Sequence, residues 1–106
     1  MLVHLTEAQA EDSVRLAKGD TVELRLPETP ATGYRWRWRL PEGLRMIVDE
    51  HVPAMTDIGP ARPGKAGQRR LAFDVRVRGR HELRAELARP WEGEPRQALT
   101  FTVHAK

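Results

Sequence analysis

The sequence predicts an all-β protein: an immunoglobulin-like antiparallel β-sandwich of seven to eight strands. Three observations carry this expectation. Apolar and charged residues alternate with the period of a half-buried strand in one segment after another, most plainly in Tyr34-Arg35-Trp36-Arg37-Trp38-Arg39-Leu40. Pro and Gly turn signals separate these segments at sandwich spacing, and no segment sustains a helical period. With 106 residues, 40% hydrophobic and 31% charged, the chain supplies one domain, residues 1–106, with one core.

Taken in order, Leu2 to Thr6 reads as a first strand, followed by a polar turn through Glu11-Asp12, and Ser13 to Leu16 as a second. Lys18-Gly19-Asp20 marks a turn into Thr21 to Leu26, which points Val22, Leu24 and Leu26 inward. Pro27 is expected to end that strand, because proline donates no hydrogen bond to a ladder. The Trp strand follows, with Tyr34, Trp36 and Trp38 as three anchors on its core face. After a turn at Pro41-Glu42-Gly43 comes Leu44 to His51, with Met46 and Val48 on one face and Ile47 on the other. The irregular run from Val52 to Gln68 exceeds the usual connection, and such runs are commonly functional. Leu71, Phe73, Val75 and Val77 form the core face of the next strand. His81, Leu83, Ala85 and Leu87 form that of the one after, and Leu99, Phe101 and Val103 mark the last. The core is expected to rest on Trp36, Trp38, Phe73 and Phe101, each contributing about 2–3 kcal/mol by burial.

The composition narrows the function classes. Cysteine is absent, which excludes disulfides, thiolate metal sites and a Cys nucleophile. No apolar run approaches the roughly 18 residues of a membrane span. Met1 to Leu5 lacks the charged and apolar regions of a secretory leader, so a cytoplasmic location is expected unless a leader has been removed. Ser13 is the only serine and has no Gly-x-Ser-x-Gly context. His4, His51, His81 and His104 are scattered without metal-ligand spacing. Glu92 and Glu94 lie in a Pro- and Gly-rich loop and read as solvation of an exposed turn. Gly64-Lys65-Ala66-Gly67 is followed neither by Lys-Ser/Thr nor by a helix, so it is no phosphate cradle. The expectation is a non-enzyme with no cofactor and no metal. A net charge of +3 raises the question of nucleic acid. The arginines, however, alternate with apolar residues or neighbour acids, as in Arg80-His81-Glu82-Leu83-Arg84-Ala85-Glu86, the pattern of a solvated sheet face with cross-strand ion pairs. No nucleic-acid or membrane partner is expected, and edge strands rich in Arg and Glu indicate a monomer.

What remains is loop chemistry. Three loops, Thr29 to Tyr34, Pro63 to Gln68 and Arg89 to Glu92, are expected to leave the same end of a sandwich. Pro30 fixes its own φ and pushes Thr29 toward an extended conformation, and Gly33 permits a positive φ. Trp91 beside Arg89 is an aromatic–Arg pair of the type that dominates interfaces; the alternative is an indole folded back onto the core. For Gly64 and Gly67 the alternative is an ordinary turn.

Together the three loops resemble those of the chagasin-like inhibitors of papain-family cysteine proteases. That family carries Asn-Pro-Thr-Thr-Gly-Tyr/Phe-x-Trp, matched here by Thr29-Pro30-Ala31-Thr32-Gly33-Tyr34-Arg35-Trp36 with Thr for Asn and Ala for the first Thr. Its Gly-x-Gly-Gly loop is similar to Gly64-Lys65-Ala66-Gly67, and Arg89-Pro90-Trp91 reproduces its Arg-Pro-Trp loop in full. The order and spacing agree over nearly the whole chain, including Leu5-Thr6-Glu7 and the Leu24-Arg25-Leu26-Pro27-Glu28 lead-in. The resemblance implies a reversible, non-covalent inhibitor whose first loop enters the protease cleft, with Thr32 near the catalytic Cys–His pair. It further implies that the Gly-rich loop lies along the substrate-binding side and that Trp91 stacks on the other. A non-inhibitory protein-binding module using the same loops is the alternative.

Overall fold

The computed structural model describes residues 1–56, 59–60 and 67–106. Its strands in chain order are Leu2–Leu5 (β1), Ser13–Leu16 (β2), Thr21–Glu28 (β3), Arg35–Arg39 (β4) and Leu44–Pro53 (β5). Met55–Thr56 (β6), Gly59–Pro60 (β7), Gly67–Val75 (β8), Gly79–Ala88 (β9) and Gln97–Ala105 (β10) follow. Eight of them build two four-stranded sheets, β1-β3-β8-β5 and β2-β10-β9-β4, and β6 pairs with β7 in a two-residue ladder. The inner strands are antiparallel, as alternation and short turns require, whereas each sheet is finished by one parallel edge pair, β1 on β3 and β2 on β10. The chain crosses between those two edges through a single 3₁₀ turn, Glu7–Gln9. A capping box closes it: the Thr6 hydroxyl accepts from the Ala8 amide, and Gln9 accepts from the Thr6 amide at 2.7 Å.

Alternation along each strand turns one apolar row inward, and the two rows meet as the core. Val22, Leu24, Leu26, Leu71, Phe73 and Val75 from one sheet pack against Trp36, Leu83, Ala85, Phe101 and Val103 from the other. Phe73 and Phe101 are completely buried, Trp36 nearly so, and Trp38 packs partly buried against them. The expected aromatic core is present.

Four local expectations need correcting. Pro27 does not end β3, which runs on to Glu28. The Pro27 carbonyl accepts from the Trp36 indole at 2.7 Å rather than from β8, so its ring nitrogen faces the open edge where no donor is missed. Tyr34 precedes β4 and is not a core anchor; it lies half-buried among loop residues. A bulge at Ile47 sets Met46 opposite Phe73 but Val48 opposite Ala72, so those two side chains do not share a face. Val77 lies past the end of β8 and is 52% exposed.

Glu28, the last residue of β3, joins the two sheets. Its side chain is wholly buried, 0% exposed. It accepts from Arg69 Nε at 3.0 Å and Arg69 Nη2 at 2.9 Å on β8, and from His51 Nδ1 at 2.9 Å on β5. The fourth donor, the Trp36 amide at 2.9 Å, comes from the opposite sheet. Burial alone would push this carboxyl pKa up. The Arg69 guanidinium, the Trp36 amide and His51 overcome that and hold it below the ordinary value of 4.5. The stabilisation is therefore complete above the ordinary range and disappears as pH falls through the depressed folded value. Glu28→Gln is expected to lower stability on the order of 3 kcal/mol near neutral pH, measured by chemical denaturation. The gap between the two proteins should close on acidification below the ordinary glutamate range. A gap independent of pH would contradict this account.

Candidate functional site

The ladders fix one end of the sandwich as the end where the expected loops leave. Glu28 and Pro53 are both paired with Gly67, Arg35 with Ala88, and Gln97 with Leu87. The β3–β4, β5–β8 and β9–β10 connections therefore all depart from that end. Gly64, Lys65 and Ala66 lie outside the described residues. Gly67 is the first residue of β8, where an added Cβ would press on the Val52 carbonyl and lie 2.7 Å from His51 Nε2. Glycine is needed there for close approach, which is more than an ordinary turn demands.

Local rules shape the first loop. Thr29 is extended, and Pro30–Thr32 forms one turn of 3₁₀ helix that Pro30 enters with its φ already set. The Thr32 hydroxyl donates to the Thr29 carbonyl at 2.7 Å and accepts from the Tyr34 amide at 3.3 Å. The Thr32 amide bonds the Thr29 carbonyl at 3.1 Å, and the Gly33 amide bonds the Pro30 carbonyl at 2.9 Å. Gly33 then turns left-handed at φ 80°, ending the helix. Thr29 contributes no side-chain cap, so Thr32 does the bracing. Ala31 and Thr32 stand exposed at the tip.

The third loop is fastened to the first by Arg89. Its Nε donates to the Thr32 carbonyl at 2.9 Å, and its Nη1 meets Glu92 at 3.2 Å. The guanidinium lies 4.3 Å from the Tyr34 ring centroid and 5.8 Å from that of Trp91. Arg96 also lies over Tyr34, at 5.2 Å. Trp91 is 72% exposed, which excludes the indole folded into the core. One edge of it rests on Gly33, where an added Cβ would be 2.8 Å from Cη2. Pro90 is exposed between Arg89 and Trp91.

Of the sequence-derived site residues, Thr29, Pro30, Ala31, Thr32, Gly33, Tyr34, Arg89, Pro90 and Trp91 form one continuous surface, and Gly67 roots the middle loop at the same end. Glu28 and Glu92 stood within the sequence-derived stretches without a role of their own, and His51, Arg69 and Arg96 escaped sequence reasoning. They act through partners distant in the chain, and only the Arg89-x-x-Glu92 spacing was a local signal. The surface holds neutral groups at its tip and cations set behind. Among the described residues no group of His, Asp or Glu has the arrangement of a metal site. Gly33→Ala combines a left-handed Cβ with a collision against Trp91. It is expected to cost about 1–2 kcal/mol and to change Trp91 fluorescence, both read in one denaturation series.

Comparison with known proteins agrees with this fold. Chagasin of Trypanosoma cruzi is 25% identical over 108 residues, covering 96% of this chain and 94% of that protein. The crystal structure of a cysteine protease inhibitor of Entamoeba histolytica superposes with a TM-score of 0.83 at 23% identity, over 99% of this chain and 95% of that one. The solution structure of amebosin does so with a TM-score of 0.83 at 25% identity, over 100% and 99%. Residues 15–105 match the family described as "Chagasin family peptidase inhibitor I42", and the chain belongs to that family.

Proposed function

We propose that this protein is a reversible, non-covalent inhibitor of papain-family cysteine proteases that inserts loops 29–34, 64–67 and 89–91 into the active-site cleft. Membership of a peptidase-inhibitor family supports the class of activity. The observation that carries the mechanism is the bond from Arg89 Nε to the Thr32 carbonyl, which ties two loops together.

A protease cuts an extended segment whose scissile carbonyl can be polarised and attacked in line. The first loop is not extended. Its backbone is closed into a 3₁₀ turn, the Thr29 and Pro30 carbonyls accept from within the turn, and the Thr32 carbonyl is occupied by Arg89. The loop can fill a cleft without presenting a bond in attack geometry. Preorganisation also lowers the entropy lost on docking, because Pro30, the hydrogen bonds of Thr32 and the Arg89 bridge already restrict that freedom. The exposed indole of Trp91, backed by Arg89, supplies the aromatic anchor of a hot spot. An interface of roughly 1,600 Å² is enough for tight, reversible binding.

Titration of papain is expected to show reversible, active-site-directed inhibition at sub-micromolar concentration. Trp91→Ala should raise the inhibition constant roughly 30-fold, equivalent to about 2 kcal/mol, with little change in melting temperature. Arg89→Ala frees the Thr32 carbonyl and should both weaken inhibition and permit slow cleavage near Thr32–Gly33, detected by mass spectrometry of the incubated mixture. No inhibition at tens of micromolar across papain-like enzymes would overturn the proposal in favour of a non-inhibitory binding module.

A further inference from the structure

Basic side chains abreast on neighbouring strands repel one another, and this molecule answers the repulsion in the same way three times. Arg25 and Arg70 face each other across β3 and β8, and both reach the buried Glu23, at 2.6 and 2.9 Å. Arg39 and Arg84 face each other across β4 and β9 and share the buried Glu86, at 3.6 and 3.4 Å. His51 and Arg69 face each other across β5 and β8 and share the buried Glu28, each at 2.9 Å.

A fourth basic row departs from the pattern. Arg15 on β2, His104 on β10 and Arg80 on β9 stand abreast across three strands, on the outer face of their sheet. Glu82 bonds Arg80 at 2.6 Å, but among the described residues neither Arg15 nor His104 has a carboxylate partner. The only buried acids described are the three glutamates already engaged elsewhere. A groove of about 480 Å³ opens over this row, lined also by Ser13 and Lys106, with Gly79 contributing no side chain to fill it.

We infer that this groove is a binding site for an external oxyanion of the phosphate class, which occupies the place that a buried glutamate takes in the other three rows. Guanidinium forks match phosphate oxygens bidentately, and the Ser13 hydroxyl and an imidazole N–H add neutral donors. The side chains of Arg15, Arg80 and Lys106 outnumber that of Glu82, and guanidinium forks arriving from two strands suit the tetrahedral oxygens of a phosphate better than a planar carboxylate. The row lies seven residues along β9 and β10 from the Leu87–Gln97 pair, roughly 23 Å at the rise of a strand. Occupancy there leaves the loop end free, so the site is independent of protease binding.

The test is an NMR titration of ¹⁵N-labelled protein at constant ionic strength with inorganic phosphate, tripolyphosphate and acetate. Saturable shifts confined to residues 13–16, 79–82 and 102–106 are expected with the phosphates, while amides 30–34 and 89–92 stay in place. Saturation by inorganic phosphate assigns the site to a single phosphate group; saturation by tripolyphosphate alone assigns it to a condensed phosphate. Arg15→Gln should weaken binding by at least about tenfold. A second variant adds the missing acid. Thr102 is diagonal to both Arg15 and Arg80, the offset that Glu23 has from Arg70 and Glu86 from Arg39. Thr102→Glu sets a carboxylate between Arg15 and Arg80, though opposite Glu82, and is expected to abolish the phosphate response. Acetate binding as tightly as phosphate, shifts that never saturate, or shifts unchanged in folded Arg15→Gln or Thr102→Glu protein would overturn the assignment.

Discussion

A single sealed carboxylate holds the loop end of this sandwich together. Glu28 has about four acceptor positions, and four donors fill them: two from Arg69, one from His51 and the Trp36 amide. Such an ion is tolerable inside a protein only when its pairing is complete, because partial pairing leaves an uncompensated buried charge. Completeness here requires β3, β5 and β8 of one sheet and β4 of the other to be in place at once. The cluster therefore makes the orientation of the two sheets at this end an all-or-none matter. The Trp36 indole bond to the Pro27 carbonyl adds a second tie across the same junction.

The same chemistry pairs many of the arginines on this surface. Glu23 and Glu86 lie buried on the outer faces, each beneath a canopy of guanidinium groups: Arg25 and Arg70 over the first, Arg37, Arg39 and Arg84 over the second. Burial pushes the Glu86 carboxyl pKa up, yet its three arginines bring it below the ordinary value; for Glu23 the Arg25 hydrogen bond is the leading cause of the same lowering. Many of these arginines thus have a carboxylate partner, though several share one. Composition counts charges, whereas partners depend on which charges are left over.

Rigidity at the loop end follows from layering. The Glu28 cluster fixes the strand ends, the Trp36 amide and indole fix where β4 begins, and Thr32 and Gly33 close the turn between them. Arg89 then couples that turn to the next loop, and Trp91 rests on the one position where a side chain would exclude it. Each layer depends on the one below, so the exposed tip inherits the order of a buried ion cluster. A surface built in this way is held by contacts at every level, from the buried ion cluster to the exposed indole.

The sequence by itself determined the strands, their inward rows and the form of the first loop. These depend on short-range sterics: alternation sets which face is buried, Pro30 sets a φ, and Gly33 admits a left-handed one. Comparable local rules failed where the deciding partner was remote. Whether Pro27 could stay in β3 depended on which edge its nitrogen faced, and the faces of Met46 and Val48 on a bulge against β8. Tyr34 alternated like a core residue but was claimed by two arginines more than fifty positions away. Trp91 could have been buried or displayed by any local criterion. Tertiary structure displayed it, because Arg89 spends its donor on Thr32 and holds the two loops edge to edge. Local conformation is a property of neighbouring atoms in the chain, whereas the pairing of charges and rings is settled only when distant strands arrive in register.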